Sequence, residues 1–431
     1  MLHRMSLPRY VIPLTVTVLV CYLGVWLGYD HLHRIDNDFV GTYTASWLLM
    51  GGHRTGLYDP AVQRWAHDLL VGPAPAHELF MPFVNVPIAA VIAAPLTLLD
   101  PAQGYTVWSA LQLVLLGVAV AVAYGSGPRP AGRRAAESLA IVLLVLSTYA
   151  TLDLIRAGQW DGLNALGVAM AYRSWRRDRY ATGAVWLVVT AALAKPHLAL
   201  GLLAFIVGWR NRRAIIGAAA VVISVAVVSL AMVGTSGASA WVHLLGADAH
   251  AQSVRGQSSF VALAGNWAGD GPLTFPIGYA GIAAILGLCL LLGHRLRRGR
   301  LRLGPALAAA TCLSLLAAPH SFIYDNVMVA PAVAWLLAEG SPFALDGSVR
   351  RRAWTIALLW LGTTTVYWMN QVISPTILRV GTPSLWLEVG LAAVLWRSAH
   401  AAEDVTSPPA PGQVAPERAE PTWKVPLLRG T

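Results

Sequence analysis

Charge is what this sequence has least of. Only 12% of its 431 residues are charged and 56% are hydrophobic. Soluble domains run at about 25% charged, so a chain with half that share cannot cover a water-facing surface. Lysine is close to absent, with Lys195 and Lys424 alone among 31 cationic side chains. Cysteine is limited to Cys21, Cys289 and Cys312, each isolated in an apolar run. That spacing supports neither a disulfide framework nor a thiolate metal site. The chain also lacks a glycine-rich phosphate loop, zinc-ligand spacing and an internal repeat.

What fills the chain instead is a series of apolar runs, from 11–29 to 384–397. Such runs predict an all-α polytopic membrane protein, since only helices satisfy their own backbone groups in lipid. Its net charge of +10 is topological and carries no nucleic-acid signal, because the arginines sit in short clusters between the runs. All clusters fall on one side, the cytoplasm, if the run 83–99, with Pro87 and Pro95, is re-entrant or interfacial. That leaves about twelve transmembrane helices, both termini cytoplasmic and the first run an uncleaved anchor. Residues 1–400 then form one integral-membrane domain with outer loops 30–82 and 234–274, and 401–431 a disordered cytoplasmic tail. Within the first loop, PAVQRWAHDLL has the pattern of an amphipathic interfacial helix.

The acids and odd polar residues gather on the face opposite the arginines. Asp36 and Asp38 follow the first span, where a carboxylate reads either as a general base or as a solvated acid or helix cap. Asp153 to Asn164 is a polar hinge between two apolar runs. It is either self-satisfied through an Asp153–Arg156 pair or a site where Gln159 and Asn164 bind sugar hydroxyls and Arg156 a phosphate. Lys195-Pro196-His197 places a cation at a helix break, suited to a phosphate oxygen, though a snorkelling lysine fits too. His320, in Pro319-His320-Ser321, reads as a phosphate ligand, an orienter of a carboxylate or a cap. Tyr58, in the Leu57-Tyr58-Asp59-Pro60 turn, joins Asp36, Gln159 and Asn164 as a sugar- or acceptor-binding candidate. No spacing predicts a metal or cofactor site.

Asp38-Phe39 with Tyr43-Thr44-Ala45-Ser46 and Gly51-Gly52, then Leu57 to Pro60, open a longer pattern. It continues through Pro82 to Pro87, Ala94-Pro95-Leu96, Gly158-Gln159, Lys195-Pro196 and Ser314 to Tyr324. Over roughly residues 20–340 this order resembles glycosyltransferase family 87, a GT-C membrane family. It differs at Asn85-Val86-Pro87, where the family often has Tyr-Pro-Pro. The resemblance implies a polyprenyl-phosphate-mannose-dependent α-mannosyltransferase acting on a lipid or glycan acceptor. It implies Asp38 as base, with Lys195 and His320 near the donor phosphate. A donor that carries its own leaving group needs no nucleotide-binding domain, and a β-linked donor giving an α-linked product means inversion. The expected enzyme works at the outer face of the cytoplasmic membrane. A transporter or flippase of a lipid-linked sugar predicts paired broken helices and a repeat. A non-catalytic assembly subunit predicts tolerance to loss of Asp38.

Overall fold

Helices start and stop where polar residues, glycine or proline interrupt the apolar runs. The computed structural model describes residues 8–29, 31–35, 37–73, 81–127, 135–251, 257–268, 272–340, 342–343, 347–373 and 383–400, and every regular element among them is helical. In chain order the helices are α1 (Pro8–Leu27), α2 (His31–Ile35), α3 (Phe39–Met50), α4 (Pro60–Val71), α5 (Pro87–Ala93) and α6 (Pro101–Ser126). Next come α7 (Ala135–Leu146), α8 (Tyr149–Ala157), α9 (Asp161–Trp175), α10 (Tyr180–Leu193), α11 (Leu200–Trp209) and α12 (Arg212–Ala251). The last are α13 (Phe260–Ala268), α14 (Thr274–Arg297), α15 (Leu303–Leu316), α16 (Ala330–Gly340), α17 (Gly347–Ile373) and α18 (Pro383–His400). Short 3-10 turns at Arg54–Gly56, Ala94–Leu98, Pro196–Ala199 and Ile323–Val329 link several of them.

Length and apolarity mark α1, α6, α12 and α14 as able to cross a bilayer, and α7 with α8, bent by 54°, as a fifth if the pair is one span. Their outward surfaces carry Leu14, Val20, Ile223 and Val227 exposed, as lipid contact requires. The chain is therefore a membrane protein, with four such helices, or five with the bent pair, among the described residues. Elsewhere Gly158, Lys195-Pro196 and the turn after Leu316 cut apolar runs into pieces shorter than the roughly 20 residues of a straight span. The run 83–99 becomes α5 and its following turn. Pro87–Leu98 reaches about 18 Å at helical rise, too short for a hydrocarbon layer of about 30 Å.

Part of the expected loop 234–274 is helical. Helix α12 continues to Ala251, turning at Gly234, whose φ of 71° and ψ of −177° suit only glycine. The amphipathic segment does form a helix, α4, capped by Asp59, whose Oδ1 accepts the Ala61 amide at 2.8 Å. It exposes Trp65 and Leu69 and buries Gln63 and Ala66. Asp36 and the tail 401–431 lie outside the described residues.

Two cores hold the helices together. The larger joins α6 to α11 with α14 to α18. The smaller gathers Phe39, Tyr43, Tyr58, Phe83, Trp108 and Trp160. Phe83 and Trp160 of the smaller core border the same cavity as Tyr324, which packs on the larger.

Candidate active site

Apart from Gly41 and Thr42 on α3, the residues that build this cavity stand at breaks between helices. At the start of α3 the cap is Asn37, whose Oδ1 accepts the Phe39 amide at 3.0 Å and whose Nδ2 donates to the Arg34 carbonyl at 2.8 Å. Asp38 makes no side-chain cap bond, so the capping reading falls away. Its half-buried carboxylate instead accepts a hydrogen bond from Gln159 Nε2. Gly158 aims Gln159 there by ending α8 in the left-handed region, with φ of 64°. A Cβ at Gly158 would lie 2.7 Å from Phe39 Cβ. Its carbonyl accepts Trp108 Nε1 at 2.9 Å. Burial pushes the Asp38 carboxyl above the usual carboxylate range. The Lys195 charge and the Gln159 hydrogen bond work against that shift without cancelling it.

Lys195 sits in extended backbone between α10 and the Pro196–Ala199 turn. Its Nζ donates to Asp161 Oδ2 at 3.0 Å and to Asp325 Oδ1 at 2.5 Å, and lies 4.2 Å from the Tyr324 ring centre. Asp161 stands in the first turn of α9; Asp325 also accepts the Phe322 amide at 2.7 Å. Two carboxylates on one ammonium leave this trio formally negative. Beside it the rings of His197 and His320 are 4.1 Å apart, and the buried His197 Nε2 has no hydrogen-bond partner among the described residues.

Asp38, Gln159, Lys195, His197, His320 and Tyr324 line a polar cavity of about 110 Å³ with Gly41, Thr42, Trp160 and the non-helical wall Met81 to Asn85. Across that wall lies an apolar groove of about 430 Å³, lined by Tyr58, Val86, Pro87, Pro196, Trp241 and faces of α10 and α12. The partition is one backbone thick: Val86 and Pro196 face the groove while Asn85, Lys195 and His197 face the cavity.

The sequence profile of glycosyltransferase family 87 matches residues 83–319, more than half of the chain. The chain belongs to glycosyltransferase family 87. Neither a curated protein nor a solved structure matches it. This family 87 protein is therefore a membrane glycosyltransferase, with a sugar donor and an acceptor as its substrates. The matched region includes Gln159, Lys195 and His197, begins after Asp38 and ends one residue before His320.

Of the residues singled out in the sequence, the family 87 cavity gathers Asp38, Gln159, Lys195, His197 and His320. Three others point elsewhere. Arg156 pairs with Asp153 at 2.6 Å off the cavity, as in the self-satisfied reading of that hinge. Asn164 is buried with its Nδ2 on Asp161 Oδ1 at 3.2 Å. Tyr58 spends its hydroxyl on the Asn85 carbonyl at 2.7 Å and lines the groove. Asp161 and Asp325 received no role from the sequence. The signal was available, since a lone lysine in an apolar stretch needs buried counter-charge, and both acids stand at helix starts beside breaks.

Proposed function

We propose that this family 87 enzyme moves a hexose, mannose by resemblance, from a polyprenyl-phosphate carrier to a hydroxyl of a lipid or glycan acceptor. On this reading the transfer proceeds with inversion at the outer face of the cytoplasmic membrane, on a GT-C-type scaffold. The observation that carries the reading is the polar cavity set against an apolar groove across a single partition. A sugar phosphate on a hydrocarbon chain has the same division.

Asp38 takes the acceptor hydroxyl proton. The acceptor oxygen attacks the anomeric carbon and forms the new C–O bond, while the old bond to the phosphate oxygen breaks and leaves its electron pair on polyprenyl phosphate. His197, His320 and the donor of Lys195 not committed to carboxylates receive that phosphate. Because Lys195 is already shared by Asp161 and Asp325, the cavity offers little net positive charge. That suits a singly charged phosphodiester better than a diphosphate.

The test uses membranes containing wild type or Asp38→Asn, supplied with labelled polyprenyl-phosphate mannose and lipid extract. Labelled glycolipid from wild type only is the expected result. Product from Asp38→Asn at near wild-type rate overturns the catalytic assignment; no product from wild type overturns the donor.

A further inference from the structure

The wall between cavity and groove, residues 81–86, has neither helix nor strand to satisfy its backbone. Three side chains from three places do so instead. Gln63, on α4, is buried; its Oε1 accepts the Phe83 amide at 2.7 Å, and its Nε2 donates to the carbonyls of Phe83 at 3.2 Å and Leu57 at 2.7 Å. Trp241, beyond the Gly234 bend of α12, donates Nε1 to the Val84 carbonyl at 2.8 Å. Tyr58 donates its hydroxyl to the Asn85 carbonyl at 2.7 Å and stacks on Phe83, ring centres 6.1 Å apart. Three consecutive carbonyls, 83 to 85, are thus each claimed by a different element. The opposite side of the wall is fixed as well. A Cβ at Gly41 would lie 3.0 Å from the Met81 carbonyl oxygen, so α3, which carries Asp38 at its start, packs directly on the wall.

Packing alone lets a loop slide, whereas hydrogen bonds to successive carbonyls fix its register and distance. From this arrangement we infer that Gln63, Tyr58 and Trp241 are positioning residues that hold the 81–86 wall against α3, setting the gap in which the donor's head meets Asp38. None of the three lines the polar cavity. The inference rests on the lipid-phosphate reading only for the identity of what passes the gap.

Tyr58→Phe and Trp241→Phe keep the rings and remove only the donors. Each is expected to lower kcat at least tenfold while the acceptor KM moves less than threefold and the melting midpoint in detergent stays within a few degrees. Because both act on one wall, the double variant is expected to fall little below the worse single one. A second measurement does not depend on any donor. In a background lacking Cys21, Cys289 and Cys312, Asn85→Cys should react faster with a small thiol reagent when Tyr58→Phe or Trp241→Phe is present. Unchanged labelling, or kcat losses that only track loss of folded protein, overturns the inference. Faster labelling together with wild-type inactivity on polyprenyl-phosphate mannose keeps the wall and discards the donor.

Discussion

At Asp38 a single proton is expected to decide activity. Replacing the carboxylate by an amide removes the base and should cost roughly 10²–10⁴-fold in rate. The protein itself should be no less stable. Burial raises this pKa in the folded state, so the ionised form is disfavoured by folding, and a neutral Asn relieves that cost above the unfolded pKa. Melting curves of Asp38→Asn therefore separate lost chemistry from lost fold. The pH profile follows with the same sign. Asp38 accepts a proton only when ionised, so kcat/KM should rise with pH through a pKa above the usual carboxylate range and then level. Gln159 stabilises the ionised form through its hydrogen bond. Gln159→Leu should move the acid limb to higher pH, and a limb that stays put rules out this bond as a tuning contact. Gly158→Ala presses a methyl group toward Phe39 and forces alanine into the left-handed region. About 1–2 kcal/mol of stability is expected to go, with a fall in kcat as Gln159 is displaced.

Among the elements, the Lys195 ammonium is the junction. It ties α9 through Asp161 and the Ile323–Val329 turn through Asp325 to the break between α10 and α11. Removing a buried partner leaves charge unpaired, at about 3–5 kcal/mol. The formal excess of negative charge makes the order specific: Lys195→Met strands two carboxylates, while Asp161→Asn leaves a neutral pair. Thermal unfolding in detergent should rank Lys195→Met clearly below Asp161→Asn, and the reverse order refutes the charge argument. The sequence made the breaks themselves legible. Pro196 after a lone lysine, Gly158 before Gln159 and Pro319-His320 after an apolar run each mark where a helix must stop, and the cavity is lined from those breaks. It did not reveal that Asn37 takes the α3 cap and releases Asp38 or that Tyr58 is occupied by the Asn85 carbonyl, and it left both readings of the Asp153–Arg156 hinge open. The cap and the hinge turn on local bonds that compete with others a pattern equally allows, and the Tyr58 bond spans 27 residues, which local pattern does not encode.

For the whole molecule the governing pattern is charge sorting. Arginines at 173–179 close α9 and those at 210–213 follow α11, while the cavity residues Gln159, Trp160, Lys195 and His197 stand at the other ends of these two helices. A cytoplasmic excess of Arg is the ordinary consequence of membrane insertion, and the proposed reading therefore expects the cavity on the outer side. That placement is open to direct measurement. With the native cysteines replaced, Arg177→Cys and Gly246→Cys supply one exposed thiol on each of the two expected sides. Gly246 has no atom within 4 Å of an added Cβ, so the substitution needs no repacking. A membrane-impermeant maleimide added to intact cells should label position 246 at once and position 177 only after permeabilisation. Labelling of 177 but not 246 in intact cells inverts the molecule. The cavity would then open to the cytoplasm, and donor and acceptor would have to be sought in the inner leaflet.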